Sequence, residues 1–171
     1  IGDAERRRFR IGSIGIIFQE LNLFPNLNIA ENIFMAREVV RHNAIIDHKT
    51  QIKRTEALLE RLEHPIDPTT LVSDLRVGQQ QIVEIAKALS LESDVIVMDE
   101  PTASLDTERA YQVLETFANL IHEGNKAGIM VTHDLRMTKY VDKVIQMVDG
   151  RIAGVIEDRE MIDTMAGVNQ I

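Results

Sequence analysis

The sequence predicts an α/β fold built on a parallel sheet, and three short apolar runs predict it. Val95-Ile-Val-Met98 is continuously apolar, as a strand buried on both faces of a parallel sheet is. Ile14-Gly-Ile-Ile-Phe18 and Ala127-Gly-Ile-Met-Val-Thr132 have the same character, and helical segments lie between the runs. Each run stops at polar residues: Gln19-Glu20, Asp99-Glu100 and His133-Asp134. Open parallel sheets bind ligands at the carboxyl ends of their strands, so these positions are the first candidates for a site.

Bulk properties narrow the choice of function. With 171 residues the chain holds one domain and a sizeable core. Its 44% hydrophobic and 27% charged residues are ordinary for a globular protein. A net charge of −8, from 19 basic and 27 acidic residues, argues against a general nucleic-acid binder, which needs basic patches. The absence of cysteine excludes disulfides, thiol catalysis and cysteine metal sites. No apolar run approaches the ~18 residues of a membrane span, and no signal peptide is visible. The first methionine is Met35, so the chain reads as a fragment or trimmed piece of a longer protein.

In order, residues 3–10 read as a short charged helix with a solvated face. After the first strand, Leu21-Asn-Leu-Phe-Pro-Asn-Leu27 reads as a loop presenting apolar residues, either a local cluster or a partner surface. Asn28 is placed to cap a helix from Ile29 to about Arg41, with Glu31 in its first turn. A second helix spans about Lys49 to Leu62, and His64-Pro-Ile-Asp-Pro68 stops it. A third runs to about Leu91 with Ile82, Ile85, Ala86 and Leu89 on one face. Gly78 and a run of glutamines stand at its amino end. They leave backbone N–H groups for a phosphate, or are surface filler. Asp106 is placed to cap a helix from Thr107 to about Glu123, whose core face is 110, 113, 114, 117 and 121. A short helix at about 135–141, a hairpin turning at Asp149-Gly150 and a terminal helix over 158–166 complete the chain.

The chemistry concentrates at Asp99 and Glu100. An apolar strand ending in two carboxylates is what a Mg-nucleotide hydrolase needs: Asp99 to hold Mg²⁺, Glu100 to polarise the attacking water. The alternative is a strand end whose acids are merely solvated. His133, at the end of the third run, is a better site candidate than a lone histidine elsewhere.

Phe18-Gln19, Leu75-Arg-Val-Gly-Gln79, Val95–Glu100 with Ala103-Ser-Leu-Asp106, and Thr132-His133 stand in that order. As an ordered set they resemble the nucleotide-binding domain of ABC transporters, over nearly the whole chain. The resemblance implies a P-loop NTPase-like parallel sheet with an inserted helical subdomain. Residues 1–19 and 92–171 would form the core, and about 20–91 the helical subdomain and signature motif. It implies ATP and Mg²⁺ as cofactors, with ATP binding and hydrolysis coupled to transport by a membrane permease. The protein would lie peripherally on the cytoplasmic face of the cell membrane, paired with a second ATPase domain and binding no nucleic acid. By this resemblance Gln19 contacts Mg²⁺ and the attacking water and senses the permease. Leu75, Arg76, Val77, Gly78 and Gln79 form the signature motif, and Asp99 is the metal-binding acid. Glu100 is the catalytic glutamate, Asp106 belongs to the D-loop and contacts nucleotide, and His133 contacts the γ-phosphate. In the family's head-to-tail dimer the helix Gln79–Leu91 would aim its positive end at the γ-phosphate held by the partner.

The chain departs from the family's pattern in two places. The phosphate-cradling loop Gly-x-x-x-x-Gly-Lys-Ser/Thr is absent, with at least one strand, so residues 1–171 alone are expected to be inactive. Arg76 stands where the signature usually has serine, while Val77 is a variant familiar among sugar importers. Residues 16–98 resemble ribose/galactose-type sugar importers; residues 1–10 and 102–160 resemble ATPases of the lipoprotein-release and haem- or macrolide-export type. Two other readings compete: an ABC-type ATPase acting on nucleic acid or the ribosome, and a non-catalytic interaction remnant. The short stretch between Gln19 and Gly78 has no room for a long coiled-coil arm, and the acidic balance also disfavours the first.

Overall fold

Strand β2 (Val95–Asp99) lies between β1 (Ile14–Ile17) and β3 (Ala127–Val131), and both pairings are parallel. The computed structural model of the chain describes residues 14–18, 20–41, 45–91, 93–101 and 105–167. The charged segment at 3–10 and Gln19 lie outside the described residues. The parallel register sets Ile17, Met98 and Met130 abreast on one face, and Ile16, Val97 and Ile129 abreast on the other. Ile17, Ile96 and Met98 are buried, whereas Ile16 and Ile129 are exposed and Val97 half-buried. The expectation of a strand buried on both faces is therefore corrected. Among the described residues only one face of β2 enters the core, because the helices that pack on it lie on that side.

Those helices are α3 (Val77–Leu89) and α4 (Thr107–Glu123). A Cβ at Gly15 would stand 3.3 Å from Ser93 Oγ and 3.6 Å from the Ala88 carbonyl, so a glycine lets β1 approach the end of α3 closely. Asp106 caps α4, accepting from Arg109 N at 3.1 Å, and the expected core face (Ala110, Val113, Leu114, Phe117, Ile121) is buried. Phe117 and Ile121 join Ile17, Ile96, Met98, Ile82 and Ile85 in one continuous cluster.

That cluster extends into a helical layer of α1 (Ile29–Phe34), α2 (His48–Arg61) and α3. Asn28 and Glu31 form a reciprocal capping box at the start of α1, 2.9 Å in each direction. The helix then ends seven residues before the expected boundary at Arg41. Ala36 adopts φ +59°, and Arg37 folds back so that Nη2 donates to the Ile33 carbonyl at 2.7 Å. The chain beyond turns extended and Val40 pairs with Ile46, the conformation β-branched residues prefer.

The loop before α1 is built around Asn32, which is fully buried. Its Oδ1 accepts from Phe24 N at 2.7 Å. Its Nδ2 donates to the carbonyls of Phe24, Leu27 and Asn28 at 3.0, 3.2 and 3.0 Å. Leu23 packs partly into the core and Phe24 points to solvent. Leu23 thus joins a local cluster, as one of the two expected readings has it, and Phe24 stays outside that cluster.

Further up the loop, Asn22 is fastened to α3. Lys87 Nζ donates to the Asn22 carbonyl at 2.8 Å, and the Asn22 N–H donates to the Glu84 carboxylate. Glu84 is buried, and burial pushes its carboxyl above the usual range, only partly opposed by Lys87, whose Nζ is 3.7 Å away. A carboxyl raised on folding favours the fold while protonated and loses that contribution as pH rises through its folded pKa. Glu84→Gln is therefore expected to raise stability at pH 7, with the advantage shrinking below about pH 4, near the ordinary glutamate value. Urea unfolding at the two pH values checks this; an equal loss of stability at both would contradict it.

Residues 132–167 form a second compact unit. Strands β4 (Val144–Val148) and β5 (Arg151–Ile156) pair antiparallel across Asp149-Gly150, both at positive φ, as a two-residue hairpin turn requires. A 3-10 helix (Leu135–Tyr140) packs on α5 (Arg159–Met165), burying Met137 and Ile162. Arg159 donates to the carbonyls of Lys139 and Val141. Among the described residues, no helix is long and apolar enough to cross a membrane.

Candidate functional site

The carboxyl end of β2 carries the chemistry. Asp99 is the last strand residue and half-buried, and Glu100 turns out of the strand at φ +45°. A side chain in this left-handed region costs about 1–3 kcal/mol and persists only where the surroundings hold it. Here the Glu100 N–H donates to the Val131 carbonyl at 2.9 Å. On the other side the buried Gln81 donates from Nε2 to the Pro101 carbonyl at 2.5 Å. The sheet strand thus ends on two acidic residues, Asp99 within the ladder and Glu100 where the backbone turns out of it.

Each residue of the predicted signature has a definite place. Leu75 is buried in the core. Arg76 is exposed and occupies the N-cap position of α3, where its backbone N–H donates to Gln79 Oε1 at 3.0 Å. Its side chain caps nothing, because a guanidinium has no acceptor. Val77 is exposed and Gly78 half-buried. The glutamine run is not surface filler. Gln79 bonds the cap residue, Gln80 Nε2 donates to the carbonyls of Val72 and Leu75, and Gln81 reaches Pro101. Through Gln81 the structure joins the start of α3 to the end of β2.

Asp106 is spent as the cap of α4, with Arg109 Nε 3.4 Å from its Oδ2. Gln19 lies outside the described residues, as do Ala103 and Ser104. His133 is exposed in the second unit, preceding Asp134. Asp134 caps the 3-10 helix and is gripped by Arg136 at 2.9 and 2.7 Å, which with the nearby His133 holds its carboxyl below the usual range.

The donors at the end of β2 fit Mg²⁺. They are hard carboxylate oxygens, and Mg²⁺ is usually held by one or two of these together with substrate phosphates. Among the described residues, no cluster of three or more acidic or histidine side chains offers an all-protein metal cage.

A family model described as "ABC transporter" matches residues 2–103. The chain belongs to the ABC transporter family. Among curated relatives it is 44% identical over 139 residues to a putative ribose/galactose/methyl galactoside import ATP-binding protein of Burkholderia ambifaria. That alignment takes in 81% of this chain and 26% of the relative. It is 42% identical over 150 residues to the ribose import ATP-binding protein RbsA of Rhodopirellula baltica, covering 86% and 29% respectively. A putative hemin import ATP-binding protein, HrtA of Staphylococcus saprophyticus, is 36% identical, with 88% and 66% covered. The chain thus spans between a quarter and a third of the length of the sugar-import relatives. Among solved structures it resembles a dimeric ATP-binding cassette in a post-hydrolysis state bound to ADP and Pi. The TM-score is 0.78 at 27% identity, over 92% of this chain and 68% of that one. The fold is that of an ABC ATPase cassette: an α/β parallel sheet with helices packed on it.

Sequence reasoning missed three residues of this ABC cassette. Gln81 was legible only as one of three glutamines, although it sits directly before Ile82 at the start of the core face. Asn32, lying between Ile29 and Ile33 on the buried side of α1, is the polar residue in a core position that signals a network. Glu84, flanked by Val83 and Ile85, is its counterpart on α3.

Proposed function

We propose that this chain is part of the ATP-hydrolysing subunit of an ABC transporter, coupling ATP binding and hydrolysis to movement of a substrate through a membrane permease. The observation that carries the reading is the pair Asp99-Glu100 at the end of β2, with Glu100 held at positive φ, in a chain of this family. Asp99 would hold Mg²⁺ together with the nucleotide phosphates, and the ion would neutralise phosphate charge. Glu100 accepts a proton from the attacking water as the new P–O bond forms at the γ-phosphorus and the bond to ADP breaks. Gln19 and His133 position the water and the γ-phosphate. Arg76–Gln79 and Asp106 face nucleotide across a dimer with a second ATPase domain, and Leu75, buried in the core, seats that segment. Residues 1–19 and 92–171 serve as the nucleotide-binding core and about 20–91 as the helical subdomain. The loop Leu21–Leu27, with Phe24 exposed, is the docking surface for the permease at the cytoplasmic face of the membrane. The names of the relatives support import, and of small sugars first.

Arg76 provides the test. At the N-cap it leaves the first turn of α3 without a side-chain acceptor, and serine supplies one, worth about 1 kcal/mol. In the dimer the long cation competes with close packing against the partner's γ-phosphate, and ~1 Å of misplacement costs about a hundredfold in rate. Arg76→Ser is expected to stabilise residues 1–171 by about that 1 kcal/mol in urea. Behind a phosphate-loop segment it is expected to raise steady-state hydrolysis at saturating Mg-ATP several-fold. An equal or lower rate would make Arg76 a working part of the site. No hydrolysis by either form would sink the transport reading.

A further inference from the structure

Two bonds hold the backbone of the Glu100–Pro101 turn among the described residues, and one of them comes from the sheet. The Glu100 N–H to Val131 bond, 2.9 Å, extends the β2–β3 pairing by one residue. The other hold is the Gln81 amide, 2% exposed, whose Nε2 lies 2.5 Å from the Pro101 carbonyl. The amide orientation is fixed by chemistry, since a carbonyl accepts and only the NH₂ group donates. Proline has no N–H with which to secure itself, so its carbonyl is the one backbone group of Pro101 that can anchor the turn. Glu100 itself is strained at φ +45°, and a residue before proline is already restricted, so the turn relaxes unless both sides are held. Among the described residues, Gln81 Oε1 has no hydrogen-bond partner. Burying an amide with one end unsatisfied is unfavourable for stability alone, which points to a purpose for its donor.

We infer that Gln81 is a positioning residue: through Pro101 it fixes the direction of the Glu100 carboxylate and ties it to the helix that begins at the signature. This rests on the proposed hydrolytic role of Glu100. Displacing a base by ~1 Å costs about a hundredfold in rate, so a hold on the neighbouring carbonyl registers in turnover before it registers in binding.

Gln81→Met tests it, because methionine keeps the length and volume and removes both the donor and the unpartnered acceptor. Gln81→Asn, one methylene shorter, serves if the methionine form does not fold. In residues 1–171, amide hydrogen exchange at Glu100 is expected to quicken at least about tenfold, while Ile96 and Met98 in β2 keep their protection. In the full-length protein, kcat is expected to fall at least about tenfold with KM held within about twofold, the mark of a contact made only in the transition state. Unchanged exchange at Glu100 overturns the inference, and so does quickened exchange with unchanged kcat. A parent protein that does not hydrolyse ATP overturns the transport reading instead, and the exchange arm then decides alone whether Gln81 orders the turn.

Discussion

Glu100→Gln is expected to lower ATP hydrolysis by at least about a hundredfold while ATP stays bound, since a positioned base contributes about 10²–10⁴-fold. The amide matches the carboxylate in size and keeps an acceptor oxygen for the attacking water, but it takes no proton. Glu100 stands in a turn held through its own N–H and the Pro101 carbonyl, and neither bond uses its carboxylate. Steady-state turnover and filter-retained nucleotide, measured in a protein that carries this chain behind a phosphate-loop segment, separate the two effects. A glutamine form that turns over near the parent rate would remove Glu100 from the role of base.

The second large effect is on stability. Asn32→Ala is expected to cost about 3 kcal/mol, because it leaves the Phe24 N–H without its acceptor and removes the amide's bonds to the Phe24, Leu27 and Asn28 carbonyls, an unmade bond costing about 1–3 kcal/mol. The bond from Phe24 N, 2.7 Å, has no replacement in a side chain ending at Cβ, and no water-sized opening is needed to see the loss, since Asn32 has zero exposure. The whole segment from Phe24 to Asn28 is folded around this one amide. The midpoint of urea unfolding measures the loss. A change below about 0.5 kcal/mol, the ordinary range for surface substitutions, would mean that the loop finds other partners.

Patterns that repeat were legible, and pairings between distant residues were not. The face of α4 was read position by position because five apolar residues recur at helical spacing, and Asp106 because a carboxylate before such a run has one good use. The Asp99-Glu100 pair stood out because a continuous apolar run ended on it. The end of α1 was misjudged because Val39 and Val40 fit a helical period as well as an extended strand. The choice was made by Arg37 bonding Ile33 and Ser90. The Gln81–Pro101 bond joins residues that no local pattern connects, so its donor looked like any surface glutamine. Placement of β2 in the sheet was foreseeable from its composition; that helices cover only one of its faces depends on where α3 and α4 dock, which composition does not encode.

The crossover between β1 and β2 also dictates an order of events. The two strands are neighbours in the sheet, yet α1, α2 and α3 all lie between them in the chain. Contacts so far apart in sequence are slow to form, because the intervening chain must be ordered before the pairing rewards it. Helices need only near neighbours, so α1–α3 gather first and shorten the effective distance between the strands. Synthesis proceeds from the amino end, so β1, with Ile16 about half exposed even in the finished fold, takes up its pairing with β2 only once β2 has been made. The β1–β2 pairing is therefore a late step. β3 follows it readily, since only α4 separates it from β2.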